Sequence, residues 1–146
     1  KTSNKYDLVI VGVLQETDFV KKISSTKRDG ITFLGGVYNK YELSVIRANA
    51  YSYFHGHSVG GTNPSLLEAM ASKNLCVCHD NEFNKGIVGE NGFYFKSADD
   101  VSELFRKIET TDISKKKDGV FKLVEEYYNW EVIGKRYIAY FNKISK

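Results

Sequence analysis

"YSYFHGHSVGGTNPSLLEAMASKNLCVCHD" (Tyr51–Asp80) is the stretch whose reading decides the fold. Its two ends, "YSYFH" and "LCVCHD", are short apolar or aromatic runs of strand type. Between them, a loop of glycine, histidine, serine and threonine turns abruptly into "PSLLEAMA", which is rich in good helix formers. Pro64, the one proline of the chain, suits a first helical position, where its missing N–H costs nothing. Asn63 before it is a favourable N-cap. Strand, loop, helix and strand in that order form the repeating unit of a parallel sheet, whose neighbouring strands need a crossover.

Working outward, "YDLVIVGV" (6–13) is a continuous apolar run, expected as a strand covered on both faces. "ETDFVKKISS" follows with helical spacing of Phe19, Val20 and Ile23. "ITFLGGV" is a second strand. "YNKYELSVIRANA" then sets Tyr41, Val45 and Ala48 on one helical face, with Leu43 and Ile46 beside it. Beyond Asp80, "NGFYF" is a fifth strand entered by an Asn91-Gly92 turn. The last third is helical. "SADDVSELFRKIE" opens on Ser97 as N-cap, with Asp99 and Asp100 in the first turn, where the helix dipole favours acids. "GVFKLVEEYY" and "NWEVIGKRYIAYFNKI" complete it. Trp130, Ile133, Tyr137 and Tyr140 or Phe141 recur at helical intervals in the last of these and are expected to pack in the core. The expected architecture is α/β, a doubly wound, Rossmann-like parallel sheet with C-terminal helices, in a single domain over residues 1–146.

The 146 residues, 42% hydrophobic and 27% charged, describe an ordinary globular chain with room for one core. The net charge of +3 is modest, and Lys115-Lys116-Lys117 is expected as a solvated helix start or loop. Cys76 and Cys78 are expected on opposite faces of a strand, unable to bridge, which suits a reducing compartment. "CVCHD" has no second pair of ligands, because His55 and His57 lie on another segment, so no metal site is expected. No apolar run approaches the roughly 18 residues that span a bilayer, and no signal-peptide pattern is present. A cytoplasmic location is expected. Nucleic-acid binding would need basic residues interleaved with exposed aromatics. Here the aromatics fall at core spacing and the lysines are scattered.

In parallel sheets, ligands sit beyond the carboxyl ends of the strands, where loops lead into helix N-termini. The loop Gly56–Asn63 has that place. Gly60 and Gly61 let a ligand approach the backbone. N–H groups around Gly61, Thr62 and Ser65, with the positive end of the helix dipole, suit an anion such as a diphosphate. Glu68, one turn along, could accept hydrogen bonds from two neighbouring hydroxyls of a ribose or sugar. The alternative is a plain strand–loop–helix connection with a solvent-facing Glu68.

"ITFLGGVYNKYELSVIRANAYSYFHGHSVGGTNPSLLEAMASKNLCVCHD", continued through "VGENGFYF" and "YYNWEVIGKRYIAYF", resembles the donor-binding half of retaining GT-B glycosyltransferases. It is closest to the bacterial surface-polysaccharide type, in a variant similar to rhamnosyltransferases. The family signature is a glutamate, seven residues and a second glutamate. The resemblance puts Glu68 in the second place, where the carboxylate binds the nucleotide ribose. The first place falls on Gly60, so the carboxylate that contacts the transferred sugar is absent. Gly56-His57 replaces the family's Pro-Ser, and His57 could partly take over by donating to a phosphate or a sugar hydroxyl, or could simply bond the loop backbone. By the same resemblance Gly36 and Val37 meet the nucleobase, and Asn81, within "HDNEFN", approaches the donor sugar.

The resemblance implies a nucleotide-diphosphate sugar as substrate, no cofactor and no required metal. The transferred group would be a hexose or deoxyhexose and the acceptor a growing cell-surface glycan or lipid-linked glycan. That acceptor, and any membrane contact, would be reached through an N-terminal domain. The chain is expected to be a piece of a longer protein, lacking that domain and the donor domain's first strand and helix. Those carry a basic Arg/Lys pair in the family, so the piece by itself is expected to bind without turnover. A non-catalytic nucleotide-binding or protein-interaction module of the same fold is the alternative, favoured by Gly60.

Overall fold

The computed structural model describes residues 6–13, 17–25 and 29–145. The chain divides between Val45 and Ile46 into two compact units. Glu16, at the start of the expected first helix, and the terminal lysines Lys1, Lys5 and Lys146 lie outside the described residues.

The first unit contains β1 (Leu8–Val11), α1 (Asp18–Ser24) and β2 (Ile31–Gly35), and α2 (Lys40–Asn49) runs across the division. The β-branched run Leu-Val-Ile-Val favours the extended chain. Thr17 starts α1 by accepting from Val20 N at 3.2 Å. β1 and β2 pair in parallel, Leu8 opposite Ile31, with a register shift between Ile10 and Val11. β1 is not covered on both faces as its apolar run suggests. Leu8 and Val9 are each 47% exposed. Among the described residues the strand has a neighbour on one edge only, and two strands make too narrow a layer to seal. On α2, the Tyr41 and Val45 side points outward, while Leu43, Ile46 and Arg47 are half-buried.

The second unit is a parallel sheet of β3 (Ser52–His55), β4 (Leu75–His79) and β5 (Phe93–Phe95), with β4 in the middle. Around it run α3 (Pro64–Ala71), α4 (Glu82–Val88), a 3₁₀ turn (Gly89–Asn91), α5 (Ala98–Glu109), α6 (Ser114–Leu123), a π turn (Val124–Tyr128) and α7 (Trp130–Ile144). The central strand separates two apolar clusters. On one face Cys76 and Cys78 join Leu66 and Met70 of α3, Ile87 and Val88 of α4, and Val120 of α6. On the other, Leu75 and Val77 meet Phe93 and Ile108, with Leu104 and Phe105 packed against them. Helices on both faces of parallel strands give the expected α/β, Rossmann-like fold.

Three local readings follow the chain closely. Asn63 caps α3 and Pro64 opens it. Asp100 Oδ2 accepts from Lys96 N and Ser97 N at 2.9 and 3.0 Å at the start of α5. The lysine run Lys115–Lys117 lies in the first turn of α6. Two others are corrected. Cys76 and Cys78 share one face of β4, because strand side chains alternate and residues two apart point the same way. They are free thiols, side by side rather than facing each other. The aromatic stripe of α7 is not core: Trp130 is 88% exposed, and Tyr137, Tyr140 and Phe141 are all exposed. Helical periodicity shows that these residues share a face; it does not supply the layer that would cover it. Among the described residues, no helix is long and apolar enough to cross a membrane.

Candidate functional site

The carboxyl ends of β3 and β4 lie side by side at His55 and His79, and the loop 56–63 leaves from the first of them. Two asparagines of the neighbouring crest hold that loop. Asn81 Nδ2 donates to the His57 carbonyl at 3.0 Å, and Asn84 Nδ2 donates to the same oxygen at 3.1 Å. Asn84 also donates to the His79 carbonyl at 2.9 Å, and Asn81 Oδ1 accepts from Asn84 N at 2.9 Å as the cap of α4. A carbonyl has two lone pairs, and here each has an amide. Asn84 is buried, so these bonds are made away from competing water.

Beneath the loop, Asn63 Oδ1 accepts from Ser65 N at 3.0 Å and from Ser65 Oγ at 2.7 Å. The Tyr53 hydroxyl donates to Ser65 Oγ at 2.9 Å and lies 3.5 Å from His55 Nδ1. His55 is 1% exposed, and its Nε2 has no hydrogen-bond partner. Burial, helped by the neighbouring His57, lowers its pKa from the usual 6.5 to about 4, so the ring is neutral. The two imidazoles stack with centroids 4.6 Å apart.

The loop, His55, Asn81 and Asn84 border a cavity of about 130 Å³. That is room for a phosphoryl group or part of a sugar ring, and too little for a whole nucleotide sugar. Of the residues singled out in the sequence, His57, Gly60, Gly61, Thr62, Asn63 and Asn81 line it; His55 and Asn84, which were not singled out, line it too. The backbone amides of Gly60, Gly61 and Thr62 make no hydrogen bond within the described residues. Among the described residues, no charged side chain borders the space.

The other predicted residues lie elsewhere. The Ser65 amide is not open to an anion, because Asn63 already occupies it. Glu68 stands one turn along α3, outside the cavity lining, and meets Arg47 Nη2 at 2.7 Å. Arg47 is the more buried partner, at 13% exposure against 57% for Glu68, so the pair holds the carboxylate in place while leaving much of it open. Arg47 was also missed by sequence reasoning: one arginine near the end of a helix carries no signal of its own. Gly36 and Val37 belong to the first unit, just after β2, where a Cβ on Gly36 would press within 2.9 Å of the Tyr38 ring. Asp80 is paired with Lys85, whose bond holds its carboxyl below the ordinary value. Among the described residues, no group of three or more His, Cys, Asp or Glu converges to hold a metal ion.

Residues 1–111 match the family described as glycosyl transferases group 1. The chain belongs to that family. A relative of this chain is an uncharacterized glycosyltransferase of Methanocaldococcus jannaschii, 24% identical over 96% of the chain and 38% of the relative. Among solved structures, HepE of Anabaena, crystallised in complex with UDP, superposes with a TM-score of 0.80. That likeness covers 97% of this chain and 42% of HepE at 15% identity, so it speaks to the fold, which is the GT-B kind. The chain thus spans about two fifths of the length of each of these proteins.

Proposed function

We propose that this chain holds the nucleotide-sugar donor of a retaining glycosyltransferase that adds a hexose or deoxyhexose to a cell-surface glycan, in the manner of rhamnosyltransferases. The observation that carries the reading is the uncharged cavity at the crest of β3 and β4. Unpartnered amides of Gly60, Gly61 and Thr62, near the positive end of α3, border the same space as two imidazoles. Membership of group 1 and the UDP found in HepE support it.

In this reading the diphosphate sits at the loop amides and the start of α3, where N–H groups and the helix dipole favour negative charge. Glu68, steadied by Arg47, accepts from the ribose hydroxyls. His57 and Asn81 lie toward the sugar. The diphosphate departs while an acceptor hydroxyl, brought by another part of a longer protein, attacks the same face of the sugar. Fixed dipoles stabilise the leaving charge, so positioning and electrostatics carry the step and no bound metal is needed. A nucleotide-binding module without transfer is the second reading, favoured by glycine at position 60.

Calorimetric titration with UDP, GDP and dTDP, with and without magnesium, tests the donor site. One nucleotide should bind, indifferent to magnesium and weakened about tenfold by Glu68→Ala, the loss of a charge-assisted hydrogen bond. Equal affinity in the variant would remove Glu68 from the site. A sugar-transfer assay on the longer protein separates transferase from silent binder.

A further inference from the structure

The hydrogen bonds beneath the cavity have a direction, and it can be read from one fixed end. Ser65 N is a backbone amide and can only donate, so the atom it meets at 3.0 Å is the oxygen of the Asn63 amide. Ser65 Oγ, 2.7 Å from that oxygen, must donate to it as well. With its one proton committed, Ser65 Oγ can only accept from the Tyr53 hydroxyl at 2.9 Å. The Tyr53 oxygen then turns lone pairs toward His55 Nδ1, 3.5 Å away. A lone pair on Nδ1 would face them in repulsion, so Nδ1 carries the ring proton. At that distance the contact adds little energy, but its sign selects the tautomer.

A neutral ring protonated at Nδ1 has a bare lone pair at Nε2. That atom is buried without a partner, and its residue lines the cavity. His57 lies against the face of the ring, which leaves the in-plane lone pair unoccupied. A phosphate oxygen has no proton to offer such an atom, whereas a hydroxyl has one. We infer that His55 is a specificity residue of this site, accepting a hydrogen bond through Nε2 from a hydroxyl of the bound sugar, with Tyr53 the positioning residue that sets its tautomer. The inference rests on the donor-site reading above and assigns the cavity two ends of different chemistry. Loop amides take the phosphate, and an imidazole acceptor takes the sugar. It also supplies a neutral polar contact to the sugar beside a loop where glycine stands at position 60.

Long-range proton–nitrogen correlation spectra of the histidine rings read the tautomer directly, with His55→Gln identifying the signals. The ligand-free chain should show His55 protonated at Nδ1, and Tyr53→Phe should shift the ring toward the other tautomer. A ring protonated at Nε2 in the wild type overturns the inference. The second arm titrates wild type and His55→Phe with UDP, GDP and dTDP and with UDP-glucose, GDP-mannose and dTDP-rhamnose. Loss of the acceptor should weaken the favoured nucleotide sugar about tenfold and leave its free nucleotide unchanged. Equal losses for both, or none for either, overturn the role of His55 while wild-type binding stands. A wild type that binds none of the six overturns the donor-site reading itself, and this inference with it.

Discussion

Gly60 and Gly61 are neighbours that ask different things of the backbone. Gly60 has φ +115°, a region that side chains rarely enter, although a Cβ there would meet nothing within 4 Å. Gly61 has neither restriction. Conformation rather than space therefore bars a side chain at position 60, which gives a physical reason for glycine there. Gly60→Ala should lower stability by about 1–2 kcal/mol, and Gly61→Ala should stay within about 0.5 kcal/mol; urea unfolding checks both. His55 gives a second prediction at this scale. Burial first, and then His57, hold its folded pKa at about 4, below the usual 6.5. The unfolded chain therefore takes up a proton that the folded chain refuses. Its contribution to stability is complete above pH 6.5 and is lost as pH falls toward 4, with a slope of up to about 1.4 kcal/mol per pH unit. Urea midpoints between pH 7 and pH 4 should fall more steeply for the wild type than for His55→Gln. The α3 cap was legible in the sequence because Asn63 and Pro64 act on their immediate neighbours. His55 and Arg47 were not, because each draws its meaning from partners that only folding brings near.

The second unit is organised about β4, and four of its five residues, Leu75, Cys76, Val77 and Cys78, are fully buried. Alternation along this one strand distributes the core to both faces. At its carboxyl end Asn84 ties loop to strand through the His57 and His79 carbonyls. Asn84→Ala leaves the His57 carbonyl with Asn81 as its one side-chain donor and takes the side-chain donor from the His79 carbonyl, and in a largely buried setting it should cost about 1–3 kcal/mol. It should also raise amide exchange in residues 56–63 more than in β5, measured by hydrogen exchange with mass spectrometry. Uniform exchange changes would show that the clamp is merely part of the core. Apart from α4 (Glu82–Val88), where the sequence reading expected a loop, the order of strands and helices was readable from apolar runs and turn residues, since those patterns are local. Which faces are covered was not. The patterns of β1 and α7 announce apolar faces, whereas coverage depends on what lies against them.

At the scale of the whole molecule, exposed apolar surface gathers in β1, where Leu8 and Val9 are open, and along α7, where Trp130 leads a row of aromatics. Trp130 is the one tryptophan of the chain, so its emission reports this surface alone. It should be red-shifted and freely quenched by acrylamide; a blue-shifted, protected signal would show that α7 is covered in solution. The α/β class was legible at this scale because alternating strands and helices admit few arrangements. The division into two units was not, because it follows from how contacts are distributed rather than from any break in composition. The placement of the two cysteines on β4 has a practical consequence. Burial raises both thiols, Cys78 to about 12 and Cys76 higher still, so neither forms the reactive thiolate in the folded state. No other cysteine occurs in the chain, and both sit in the middle of the second unit. Covalent trapping by a thiol reagent is therefore a clock for the opening of that unit.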